Sequence, residues 1–145
     1  MAKGFFSEID QEKIVNAIKE AEKNTSGEVR VHIENRCKNI VLDRASEVFA
    51  VLKMHKTDLR NGVLFYLAVE DKKFAILGDA GINAVVPANF WDEIKSECLE
   101  QFREGKFADG LAEGITKAGS QLKAHFPYQT DDINELPDDI SFKEN

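Results

Sequence analysis

The sequence predicts an α/β fold, a three-layer α/β/α sandwich around a small mixed sheet, with its elements in the order α-β-α-β-β-α-α. Three observations carry this. Residues 28–34 (EVRVHIE) alternate strictly between apolar and polar, the period of a strand with one face on the core and the other partly wet. Residues 62–69 (GVLFYLAV) are apolar at nearly every position, as in a short strand buried on both faces and central in its sheet. Apolar residues recur at helical spacing before, between and after these runs.

Each element follows in turn. Ile14, Ala17, Ile18 and Ala21 give a first helix over about residues 7–24. Asp10 is its expected N-cap, with Ile9 and Ile14 as a hydrophobic staple. Gly27 is expected to supply the left-handed residue that closes the turn. After the first strand, Ala45, Val48, Phe49 and Leu52 mark a second helix, followed by a polar segment, 53–61. The apolar strand 62–69 then turns through Glu70-Asp71-Lys72 into a hairpin partner, 73–77. Gly78-Asp79-Ala80-Gly81 breaks that strand. Trp91, Ile94, Cys98 and Phe102 place a third helix over 87–104, stopped by Gly105. Phe107, Leu111, Ile115, Ala118, Leu122 and Phe126 form the longest stripe. Gly110, Gly114 and Ala118 on it are spaced for close approach to a neighbouring helix.

The composition bounds the function classes. With 145 residues, 43% hydrophobic and 31% charged, the chain has the size and mix of one globular domain. No apolar run reaches the roughly 20 residues a bilayer needs. The first residues lack the pattern of a secretory signal, and two cysteines make no disulfide framework. A cytoplasmic protein is therefore expected. The net charge of −7 disfavours nucleic acid and anionic membranes as partners. Residues 128–145 hold six acids and one base, so most of the charge lies there. The expectation is a domain over 1–127 and an acidic, mobile or loosely docked tail over 128–145, dispensable for folding. If that tail packs, Ile133, Leu136, Ile140 and Phe142 are the residues to do it.

Several chemistries lack their signatures. There is no GxGxxG, no GxxxxGK before Ser or Thr, no GxSxG and no HExxH. His32, His55 and His125 are scattered over different elements, and no CxxxxxR phosphate loop occurs. Cys98 lies on an apolar stripe and reads as core; Cys37, just after a strand, has no evident activating group.

Chain direction does bring one polar group together. The first two strands are joined through a helix and should run parallel, and the third runs back. The starts of the first two and the end of the third then share one rim. Glu28, Asp58, Arg60, Asn61, Asp79 and Asn83 converge there. Carboxylates, amide oxygens and backbone carbonyls suit a hard cation. A structural reading stands beside this one: Asp79 fixes a turn, and Glu28 pairs with Arg60 or caps a helix.

The runs TSGEVRVHIE (25–34), TDLRNGVLFYLAVEDKKFAILGDAGIN (57–83), NFWDEI (89–94) and GKFADGLAEGI (105–115) together resemble the TPM domain family, over about residues 4–127. They are most similar to its small soluble bacterial branch. The resemblance implies a three-layer α/β/α sandwich, binding of a divalent cation (calcium chiefly, or magnesium) and, as known for plant members, acid phosphatase activity. With a cation implied, the shared rim makes Asp79, Glu28, Asn61, Asp58 and Asn83 the candidate metal ligands. Larger members carry an aspartate before the first helix and an acid after the third strand; here those stretches read FFSEID and VVPANF. Their loss weakens phosphatase chemistry more than cation binding. The expectation is thus a monomeric, non-catalytic cation-binding accessory module, open to a protein partner, with a metal-dependent acid phosphatase as the alternative and a purely structural adaptor as a third reading.

Overall fold

The computed structural model describes residues 2–127 and 139–145. A 3-10 turn, Lys3–Phe5, leads into α1 (Glu8–Glu22), β1 (Glu28–Glu34) and α2 (Val41–Val51). A second 3-10 turn, Met54–Lys56, precedes the hairpin of β2 (Gly62–Ala68) and β3 (Lys73–Gly78). Then come the single turn α3 (Ala80–Asn83), α4 (Phe90–Arg103), α5 (Phe107–His125) and the short strand β4 (Ser141–Lys143). The open sheet has the order β3-β2-β1-β4. β1 runs parallel to β2, from Glu28 opposite Gly62 to Glu34 opposite Ala68. β3 is antiparallel to β2, with Val63 opposite Gly78.

Three layers result, as the sequence predicts. On one face Val29, Val31, Ile33, Val63 and Phe65 pack under Ile14 and Ile18 of α1, Ile94 of α4, and Leu111, Ile115 and Leu122 of α5. On the other, Leu64, Tyr66 and Ala75 pack under Ala45, Val48 and Phe49 of α2, with Met54. The small-residue stripe of α5 does permit close approach. A methyl group on Gly114 would lie 2.8 Å from Cys98 Sγ and 3.0 Å from the Phe65 ring. Burial pushes the Cys98 thiol up to about 12, consistent with an inert core residue.

Three local expectations are corrected. The N-cap of α1 is Ser7, whose hydroxyl accepts from Asp10 N at 3.1 Å; Asp10 lies inside the first turn. The left-handed residue after α1 is Asn24, at φ 62°, not Gly27. Gly27 is needed for space: a methyl group there would sit 2.6 Å from Leu122. The second face of β1 is not wet. All seven residues of the strand are buried, because α2 lies over that face. Cys37 is buried as well, with Sγ 3.4 Å from Asn39 O.

The acidic segment differs from expectation where it is described. β4 runs parallel to β1, with His32 opposite Ser141 and Glu34 opposite Lys143. Ile140 and Phe142 are partly buried against the core. Glu144 accepts from Ala2 N at 2.9 Å, and Asn145 Oδ1 accepts from Asn35 N and Arg36 N, each at 3.0 Å. Ile133, Leu136 and the other residues of 128–138 lie outside the described residues. Deleting 139–145 should therefore destabilise the fold by about 2 kcal/mol, the scale of one partly buried aromatic and a short ladder, lowering Tm by roughly 4–8 °C. An unchanged thermal midpoint would show β4 to be dispensable.

Candidate functional site

Three backbone hydrogen bonds assemble the predicted rim. Glu28 N donates to Asn61 O at 3.4 Å, and Asp79 N donates to Gly62 O at 2.9 Å. Gly81 N donates to Arg60 O at 2.8 Å. The register then sets Glu28, Gly62 and Asp79 in one row on the α2 side of the sheet. Glu28 is 2% exposed and Asp79 7%. Two inter-strand spacings separate their backbones by about 10 Å. Gly62 between them presents no side chain, and Met54 O lies above it, 3.3 Å from where a Cβ would stand.

Asp79 is already engaged. Arg60 Nε and Nη2 donate to its two oxygens at 2.6 and 2.7 Å, and Ala80 N donates to Oδ1 at 2.8 Å, capping α3. The hydrogen bonds and charge of Asp79 raise the Arg60 pKa further above its ordinary value. Arg60 reaches this position from a left-handed backbone, φ 51°, a conformation unfavourable for a side chain of its size. Of the alternatives for Glu28, pairing with Arg60 or capping a helix, the first loses its partner to Asp79.

The other predicted residues divide. Asn61 is 1% exposed and donates from Nδ2 to Ser26 Oγ at 3.3 Å, beside Glu28. Asp58 is exposed on the turn ahead of β2. Asn83 is a cross-link: its Nδ2 donates to Gly78 O at 2.8 Å, and its Oδ1 accepts from Trp91 Nε1 at 2.7 Å. His55 joins the rim, lining a cavity of about 240 Å³ with Ser46, Arg60 and Asp79. Among the described residues no three His, Cys, Asp or Glu side chains cluster to hold a metal. The rim does fit a hard cation in the type of its donors: two carboxylates, an amide and backbone carbonyls. In charge, the Arg60 guanidinium already fills the positive position beside Asp79.

A second polar group, missed from sequence, lies at the opposite end of β1 under α2. Glu34 is fully buried. Its carboxylate accepts two bonds from Arg44, Nε to Oε2 and Nη2 to Oε1, both at 2.8 Å. The Tyr66 hydroxyl donates to Oε2, and His32 Nε2 lies 3.0 Å from Oε1. His32 Nδ1 lies 2.8 Å from Ser141 Oγ on β4. Burial pushes the Glu34 carboxyl up, but hydrogen bonds from Arg44, Tyr66 and His32 outweigh it and hold the group at about 2. Burial lowers the His32 pKa, more than its bond to Glu34 raises it. The neutral ring then donates from Nε2 to Glu34 and accepts at Nδ1 from Ser141. Four hydrogen bonds from three partners occupy both carboxylate oxygens. The cluster braces β1, β2, α2 and β4. The polar alternation of β1 was its one signal in the sequence.

Fold and rim define a class: a small α/β/α sandwich with its polar rim where two parallel strands begin. The sequence model of the TPM domain matches residues 2–121. The chain belongs to the TPM domain family. It is similar to the BA42 protein of the psychrophilic bacterium Bizionia argentinensis, solved by NMR, at 52% identity and TM-score 0.88 over 96% of each chain. The N-terminal domain of a P. gingivalis protein is 18% identical, with TM-score 0.72 over 87% of this chain and 83% of that one. The N-terminal domain of the cg2496 protein of Corynebacterium glutamicum is 13% identical, with TM-score 0.63 over 91% and 82%. The last two show a shared fold alone. Comparison with the curated proteins gives no match. Among the described residues no helix is long and apolar enough to cross a membrane.

Proposed function

We propose that the chain is a non-catalytic accessory module that binds a divalent cation, calcium or magnesium, at the rim of Glu28, Asn61 and Asp79. The observation that carries this reading is the row Glu28–Gly62–Asp79, with two buried carboxylates on one face of the sheet. Family membership supports it. Asp58 and Asn83 belong to the outer part of the same reading. The cation competes with Arg60 for Asp79, since two positive groups at contact distance repel even at high effective dielectric. The module acts as a cytoplasmic monomer in this reading, in keeping with two free, buried cysteines.

Opposed variants test it. Asp79→Asn should weaken calcium binding by about tenfold or more, a loss of roughly 1.4 kcal/mol. Arg60→Gln removes the competing charge from an exposed position, so it should tighten binding. Calorimetry with calcium and with magnesium, and amide shifts at Gly62, Asp79 and Gly81, read both. Equal affinity in the parent and both variants sinks the rim as the site.

The alternative, a metal-dependent acid phosphatase, is favoured by one observation: His55 and Arg60 line the same cavity as Asp79. An imidazole for proton transfer and a guanidinium for phosphoryl oxygens are parts that such chemistry uses. Hydrolysis of p-nitrophenyl phosphate at acid pH, stimulated by calcium or magnesium and lost in His55→Gln, would establish it.

A further inference from the structure

A second concavity lies on the far side of the molecule, away from the rim. It has a volume of about 350 Å³ and is lined by Leu67, Lys72, Phe74, Leu99, Phe102, Arg103 and Phe107. That is the lower end of the size range of small-molecule sites, about 300–1,000 Å³. Its floor is core: Leu67 is 2% exposed, Phe74 4% and Phe102 8%. Its wall is preformed. Phe102 stacks on Phe107 with centroids 4.9 Å apart, and meets Phe74 edge to face at 5.0 Å. The Phe102 ring lies close against the bare backbone of Gly110, where a methyl group would come within 2.8 Å of it.

The polar part of the lining is two cations, Lys72 at the tip of the β2–β3 hairpin and Arg103 at the end of α4. Among the described residues neither engages a carboxylate. The acids next to them in sequence are held elsewhere. Glu70 pairs with Arg36 at 3.1 Å, Asp71 accepts from Cys37 N at 2.7 Å, and Glu104 lies 3.6 Å from Lys106. An acidic protein thus carries an apolar cup whose positive lip meets no carboxylate among the described residues. Such a cup matches a ligand with an apolar tail and one anionic head.

The geometry points to a binding site for a free medium-chain carboxylate, with the tail against Leu67, Phe74 and Phe102 and the head between Lys72 and Arg103. Octanoate titrated into the isotope-labelled full chain should give saturable amide shifts centred on Lys72, Phe74, Leu99, Phe102, Arg103 and Phe107. Acetate at equal ionic strength should move none of them. Octanol should bind about tenfold more weakly for want of charge-assisted hydrogen bonds. Lys72→Glu with Arg103→Glu, both exposed, should abolish the preference for octanoate while retaining octanol binding. Non-saturating shifts, shifts centred elsewhere, equal affinity for octanol and octanoate, or an unaffected double variant would each overturn the proposal.

Discussion

Glu34→Ala should destabilise the protein by about 3–5 kcal/mol, because it leaves a half-buried guanidinium and a buried phenol facing an empty site. Arg44 is 19% exposed at its side chain, and Tyr66 is fully buried. At this chain length the loss corresponds to a fall in Tm of about 10 °C or more. Replacing Glu34 and Arg44 together by Leu and Met should cost far less, since neither leaves a charge behind. The same cluster sets the acid response. In the folded chain Glu34 keeps its charge down to about 2, whereas the unfolded group takes a proton near pH 4.3. Its contribution, roughly 3 kcal/mol, is complete above the unfolded pKa and is lost as pH falls toward 2. His32 acts at higher pH: the unfolded ring takes a proton near 6.5, while the buried ring resists it. Stability should therefore fall from about pH 7 downward in two stages. Urea midpoints of the parent and Glu34→Gln should lie far apart at pH 7 and converge toward pH 2. A gap that stays constant across that range would remove Glu34 as its cause.

Gly81→Val should be nearly as damaging, for a steric reason. A Cβ at Gly81 would lie 2.0 Å from Leu59 O and 2.6 Å from Arg60 O. Those are backbone atoms of the turn that carries Arg60, so no side chain can swing aside. The cost should reach or exceed the upper end of the roughly 1–3 kcal/mol typical of overpacking. Gly105→Ala is the control. Gly105 has φ 78° and nothing within 4 Å of an added methyl, so the substitution adds only backbone strain, about 1 kcal/mol. Chemical denaturation of both variants reads the difference. If Gly81→Val costs no more than Gly105→Ala, the contact between α3 and the 59–60 turn is not holding the rim together.

The layers were legible because each element carried its own period. The alternation of 28–34, the apolar run from Gly62 and the stripe from Phe107 to Leu122 are local patterns, and the sandwich follows from their order. Convergence of Glu28, Asn61 and Asp79 was legible too, from strand direction. The Arg60–Asp79 pair was not. It depends on a left-handed arginine, which no periodicity announces. The Glu34 cluster was half visible: β1 shows a polar face, but the face reads as wet until α2 brings Arg44 over it. β4 was invisible. Three residues in an acidic stretch have no period of their own, and their partner lies 109 residues earlier.

That separation has a consequence for the chain as it is made. β1 leaves the ribosome early and can pair with β2 soon after, but its outer edge stays bare until Ser141–Lys143 follow. At synthesis rates of about 5–20 residues per second, the delay is roughly 5–20 s. Throughout it, a nascent chain displays one unpaired edge of the strand that carries Val31 and Ile33, the kind of edge that recruits other strands. β4 is thus a late-arriving guard, and products that stop soon after Pro127 would hold nearly the whole sandwich while lacking its protection against self-association.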